Sequence, residues 1–226
     1  MRFRHDARLR EDHFLKGRQC WVVIPRDSWD CIASDMATSL VACAPLGTGT
    51  GKIMRSLDGV NWVAASSTGI VAGGLFGVCW LASAALYVAV GDGGNIVTSA
   101  DGGDNWVLRA PAAADNFRAC AASPALVVAV GDGGAVQTSP DGINWTSRVS
   151  PAALDWKGAA WNGALFAAVA SSGAGKRAMT SPDGVTWTLE DTADETWQAV
   201  APVNAHGWKF VAVGGSGVGD RAMTRH

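Results

Sequence analysis

The chain has 226 residues, 48% of them hydrophobic, and a formal net charge of −2. That length suffices for one large core or two small ones, and the near-neutral balance excludes the electrostatic footprint of a nucleic-acid binder. No apolar run reaches the ~18–20 residues that cross a bilayer, and the 28 glycines lack the G-X-Y period of collagen.

Residues 1–16, MRFRHDARLREDHFLK, mix Arg, Asp and Glu with Phe3, Leu9, Phe14 and Leu15. They lack the apolar middle of a signal peptide, so a soluble protein made in the cytoplasm is expected, with later assembly into a virion left open. The segment is either a free charged tail or an arm that orders on a protein partner. Residues 17–27, GRQCWVVIPRD, read as one strand similar to the Trp-bearing strands further on.

From residue 28 a unit recurs, over approximately 28–66, 75–110, 116–150, 155–191 and 196–226. An aromatic residue opens each copy: Trp29, Phe76, Phe117, Trp156 and Trp197. A Val/Ala strand follows, as in LYVAVGDGG (86–94) and LVVAVGDGG (126–134), with Ala42, Ala89, Ala129, Ala168 and Ala212 at its centre. A small residue there lets neighbouring sheets approach closely. Next come the Gly-rich turns GTGTGK (47–52), GDGGN (91–95), GDGGA (131–135), SSGAGK (171–176) and GSGVGD (215–220). A third strand ends in Thr-Ser and enters a box: RSLDGVNW (55–62), TSADGGDNW (98–106), TSPDGINW (138–145) and TSPDGVTW (180–187). The last copy, GDRAMTRH (219–226), carries the third strand without a box.

The box aspartates are 43, 40 and 42 residues apart. Runs of β-branched residues bounded by Gly, Pro, Asn and Asp are strand signals. Four short antiparallel strands at this period are the signature of a β-propeller blade. The expected fold is all-β: a single five-bladed propeller over 17–226, built of four-stranded antiparallel blades. Its last blade is closed by the N-terminal strand 17–27, which removes an open edge. Closure by a second chain is the alternative.

Within each box the carboxylate accepts hydrogen bonds from the following N–H groups. Gly supplies a conformation that a Cβ would strain, and Trp covers the turn. Asp58, Trp62, Asp101, Trp106, Asp141, Trp145, Asp183 and Trp187 are therefore assigned to stability, with no metal site and no cofactor. The box resembles the Asp-box, or BNR, repeat, S-x-D-x-G-x-T-W: Ser99, Asp101, Gly103 and Trp106 match its spacing, and the other copies are one residue shorter. That family includes sialidases, lectins, receptors, assembly factors and phage proteins, so the resemblance implies the fold more firmly than the function.

Sialidases would need three arginines, a Tyr–Glu nucleophile pair and an acid. The only tyrosine here, Tyr87, sits inside a Val/Ala strand. Two of the three glutamates, Glu190 and Glu195, fall in EDTADE (190–195), read as a solvated loop. GTGTGK is one residue short of a phosphate loop, and Ile53 stands where Ser or Thr is required. The four histidines are scattered. No catalytic set is expected. The five cysteines, Cys20, Cys31, Cys43, Cys79 and Cys120, include no CxxC pair and read as free core thiols.

Two candidate binding groups remain. The Gly-rich turns share one face and bring Lys52, Asp92, Asp132, Lys176 and Asp220 to its rim, either as plain solvated turns or as a shallow polar site. Trp80 and Trp161 lie late on the first strands of their units, either as core or as platforms for a sugar ring. The expected function is a non-catalytic interaction module. It is similar to phage virion propellers, on tail fibres or as particle decoration, that bind a protein partner or a host surface. Lectin activity on a surface glycan is the alternative and sialidase-like hydrolysis a disfavoured third. A weaker similarity links the chain to photosystem assembly-factor propellers.

Overall fold

Residues 31–44, 52–66, 73–192, 194–203, 209–214 and 222–225 are described in a computed structural model. They form five antiparallel meanders. The first sheet holds β1 (Cys31–Ser34), β2 (Leu40–Ala44), β3 (Lys52–Ser56) and β4 (Val63–Ala64). The second holds β5 (Leu75–Leu81), β6 (Leu86–Gly91), β7 (Ile96–Ser99) and β8 (Val107–Arg109). In the third are β9 (Phe117–Ala122), β10 (Val127–Gly131), β11 (Val136–Ser139) and β12 (Thr146–Ser147). The fourth comprises β13 (Trp156–Trp161), β14 (Phe166–Ala170), β15 (Ala178–Ser181) and β16 (Thr188–Glu190). A fifth, three-stranded among the described residues, comprises β17 (Trp197–Pro202), β18 (Phe210–Gly214) and β19 (Ala222–Arg225). Among the described residues no helix is long and apolar enough to cross a membrane.

The second strands explain why their sequences are continuously apolar. Side chains alternate sides along a strand, and here both sides are covered, the pattern of a strand buried on two faces. On β6, Tyr87 and Ala89 join Val41, Cys43 and Ile53 of the first sheet, while Val88 and Val90 join Phe117, Val127 and Ala129 of the third. On β10, Val128 and Val130 turn the other way, to Trp156, Phe166, Ala168 and Met179 of the fourth. Each core cluster is thus a wedge between consecutive sheets. The repeated Ala faces the preceding sheet in the copies at Ala89, Ala129 and Ala168, and all five alanines are at most 2% exposed.

Close approach of first strands also fixes two glycines. A Cβ on Gly77 of β5 would lie 2.7 Å from Cys120 N on β9, and one on Gly158 of β13 would lie 3.0 Å from Ala199 Cα on β17.

Four expectations need correction. Phe76 does not open its sheet: Leu75 pairs with Gly91 as Phe117 pairs with Gly131, so Phe76 is the second residue of β5. The box Trp residues stand just before the outer strands β4, β8, β12 and β16, not within them. Cys31 and Cys43 face each other across β1 and β2 and form a disulfide, so they are not free thiols. Direct pairing across two adjacent strands puts their Cα atoms 5.4 Å apart, within disulfide range. Cys79 and Cys120 are free and buried, as expected. Finally, EDTADE is not simply a solvated loop. Glu190 belongs to β16 and accepts a hydrogen bond from Thr180 Oγ1 at 2.5 Å, and Glu195 is half-buried. The arm 1–16, the strand 17–27, Trp29, Cys20 and Asp220 lie outside the described residues.

Candidate binding face

The box carboxylates look most like sites. Asp141 Oδ1 accepts from Ile143 N at 2.8 Å, Asn144 N at 2.8 Å and Ser139 Oγ at 2.9 Å, while Oδ2 accepts from Asn144 Nδ2 at 2.7 Å. Asp58 and Asp101 repeat this set, with Asn61 and Asn105 supplying the side-chain donor. Asp183 keeps the two backbone donors, Val185 and Thr186. Trp106, Trp145 and Trp187 each donate Nε1–H to the carbonyl of the box glycine, at 2.9, 3.2 and 3.1 Å. Trp62 departs from the pattern: its Nε1 is buried with no partner among the described residues. These carboxylates are occupied with holding their own turns. At Asp58 and Asp183 the backbone N–H groups of Asn61 and Thr186 lead in lowering the pKa; at Asp101 and Asp141 burial raises it, and the donors outweigh burial, so all four are lowered.

Tyr87 is likewise structural. It is fully buried on β6 and donates to Ser39 O at 2.7 Å while accepting from Asp35 N at 2.8 Å. Its hydroxyl pins the β1–β2 turn of the first sheet, and burial raises its pKa. Asp35 closes that same turn by accepting from the N–H groups of Ala37, Thr38 and Ser39.

The sequence candidates divide between the two ends of the first strands. Trp80 pairs with Tyr87, ring centroids 4.8 Å apart, and packs on the core between the first two sheets. Trp161 pairs with Phe166 at 4.4 Å and packs on the core between the third and fourth sheets. Both stand beside the turns that link first to second strands. The Gly-rich turns lie at the other end, beyond Gly91 and Gly131, so the two groups do not converge. Lys176 is exposed and faces Asp191 at 3.5 Å. Lys52 begins β3.

Asp92 and Asp132 open tight turns in which Gly93 and Gly133 take positive φ of 65° and 64°. The glycines before them, Gly91 and Gly131, meet the next-in backbone: a Cβ there would lie 1.9 Å from Gly74 O and 2.0 Å from Asn116 O. Turn and following sheet are stitched by one recurrent joint. Asn116 Oδ1 accepts from Gly93 N at 2.8 Å, Asp155 Oδ1 from Gly133 N at 2.9 Å, and Asp194 Oδ1 from Gly175 N at 2.7 Å.

On this end the structure gathers residues that the sequence reading missed. Arg118, second on β9, donates from Nη1 to Asp92 Oδ1 at 2.9 Å and from Nε to Asp132 Oδ2 at 3.0 Å; Nη2 also reaches Asp132 Oδ2. Lys157, second on β13, donates to Asp132 Oδ1 at 2.7 Å and lies 4.0 Å from Asp155 Oδ2. The Arg118 guanidinium sits 4.6 Å from the ring centre of Phe76, a cation–π distance. Hydrogen bonds from Arg118, then from Lys157, hold Asp132 near pKa 2, and Asp132 in turn raises that of Arg118. The result is an ordered ladder, Asp92–Arg118–Asp132–Lys157–Asp155, crossing three sheets.

Phe76, Arg118, Lys157 and Gln198 line one cavity of about 310 Å³. They are the second residues of β5, β9, β13 and β17. Aligning FRACAA, WKGAAW and WQAVAP with LFGVCW puts all four in a single column. Matching Phe76 to Phe117 instead hides that column.

No protein-family model matches the chain, and no curated protein matches its sequence. Solved structures match it in fold. YCF48 bound to a D1 peptide aligns with TM-score 0.59 at 16% identity, over 81% of this chain and 59% of that one. A chain of the nidogen/laminin complex gives 0.57 at 14%, over 82% and 72%. The WD40 β-propeller domain of Doa1 gives 0.54 at 12%, over 82% and 61%. This chain thus spans less than two thirds of YCF48 and of the Doa1 domain, and at these identities the likeness is one of fold: an all-β propeller.

Proposed function

We propose that the chain is a non-catalytic interaction module that holds a protein partner on the face of the Gly-rich turns, with Asp92 and Asp132 in the frame of the site. The observation that carries this is the cavity lined from four consecutive sheets by Phe76, Arg118, Lys157 and Gln198. Propellers present one loop class per blade on each face, and such concave mouths with a few placed polar groups are the usual seats of ligands. Two of the similar structures are named as complexes, YCF48 with a D1 peptide and nidogen with laminin. A setting in a phage virion is the finer form of the proposal and rests on the box motif. The lectin reading is not carried forward, because Trp80 and Trp161 are engaged in packing.

The ring itself belongs to this proposal: five blades over 17–226, with residues 17–27 supplying the outer strand of the last. Ala42 faces away from the second sheet and is nonetheless fully buried, as a neighbour on that side requires. The far side of the fifth sheet is more open, with Val213 47% exposed.

The test of the binding face is photo-crosslinking in a lysate of the natural source. A crosslinker replacing Gln198 should capture one recurring protein, capture should fail from Leu108 on outer strand β8, and Lys157→Glu should abolish it. Equal capture from both positions, or none, refutes the reading.

A further inference from the structure

Among the described residues, every side chain that lines the cavity with a polar atom offers N–H. Guanidinium has five N–H donors and no acceptor; three of the five are engaged by Asp92 and Asp132 among the described residues. The Lys157 ammonium has three donors, of which Asp132 takes one at hydrogen-bond distance. Gln198 is exposed and contributes a carboxamide. The acids flank these donors and are the more exposed partners, and Asp155 is further committed to Gly133 N. They hold the cations in place without lining the cavity.

This arrangement discriminates between anions. Three carboxylates against two cations leave the ladder one charge negative, which opposes a multiply charged phosphate. A single carboxylate needs only the residual donors, and an Arg fork and an ammonium suit it. Phe76 supplies an apolar wall for the methylenes that carry it.

We propose that this mouth binds the carboxylate of an acidic peptide segment on the partner, seated between Arg118, Lys157 and Gln198 with its aliphatic stem on Phe76. The proposal rests on the interaction-module reading and gives it a ligand chemistry.

The experiment is an NMR titration of the ¹⁵N-labelled full chain, reading the Arg118 Nε–H and Gln198 side-chain amide signals. Acetyl-Gly-Glu-Gly amide, which carries one carboxylate, should shift both saturably, and its glutamine and lysine analogues should not. Lys157→Gln should weaken the glutamate peptide by about fivefold, the scale of one partly exposed ion pair. Gln198→Ala, which leaves the ladder intact, should weaken it without altering the amide spectrum elsewhere. Equal response to the glutamine or lysine peptide, or no response, overturns the proposal. Response to inorganic phosphate but not to the peptide overturns it as well and leaves an inorganic-anion site. If crosslinking at Gln198 still captures a partner while the glutamate peptide is inert, the module reading survives and only the carboxylate assignment fails.

Discussion

Asp101 gathers Asp104 N, Asn105 N, Asn105 Nδ2 and Ser99 Oγ on one carboxylate. Burial pushes its pKa up, but the donors from Asn105, Ser99 and Asp104 outweigh burial and bring it from 3.8 to about 2. Asp132 reaches about 2 through Arg118 and Lys157. A folded-state pKa below the unfolded one stabilises the protein above the unfolded value, and that gain is lost as pH falls through the folded value. The urea midpoint is therefore expected to hold steady above about pH 5 and to drop between about pH 4 and pH 2. Asp101→Asn should flatten part of that drop. A midpoint unchanged down to pH 2 would show that these turns do not contribute. The hydrogen bonding inside the boxes was legible in the sequence because Ser, Asp, Gly and Trp recur together at fixed local offsets. Arg118 and Lys157 were not, since their partners Asp92 and Asp132 lie 14 to 26 residues away and no local spacing connects them.

Among the elements, the second strands were the easiest to read. Burial on both faces demands an unbroken apolar run, and Val with a central Ala repeats it five times. First strands were harder, because only one residue in their column faces the cavity and that residue varies between Phe, Arg, Lys and Gln. The disulfide escaped for a related reason: CIAS and LVACA give no spacing signal, and the pairing becomes visible only once the β1–β2 register is known. The turns after β6 and β10 each depend on a glycine whose neighbours come from the same register. At Gly91 a methyl would meet Gly74 O at 1.9 Å, so the backbone must move. Gly91→Ala is expected to cost about 1–3 kcal/mol in urea unfolding, the usual range for overpacking, whereas Gly93→Ala meets no atom and costs only through its positive φ. Equal losses at the two positions would contradict the close-approach account.

At the level of the whole molecule, sheet count and order followed from counting boxes and Val/Ala strands, whereas the manner of closure rests on the proposal for residues 17–27. An unpaired outer edge on the fifth sheet is a template for association. Deleting residues 1–27 should therefore convert a monomer into concentration-dependent oligomers in size-exclusion chromatography with light scattering, while deleting residues 1–16 alone should not. A monodisperse 28–226 variant would rule out the closing strand. Asn116, Asp155 and Asp194 do the same job at successive seams, each capping the preceding turn through a glycine N–H. A duplicated stretch from Asn116 to Leu154, inserted before Asp155, therefore arrives with a fitting at both ends. Such a lineage can lengthen or shorten by whole repeats through recombination, without inventing a new seam each time.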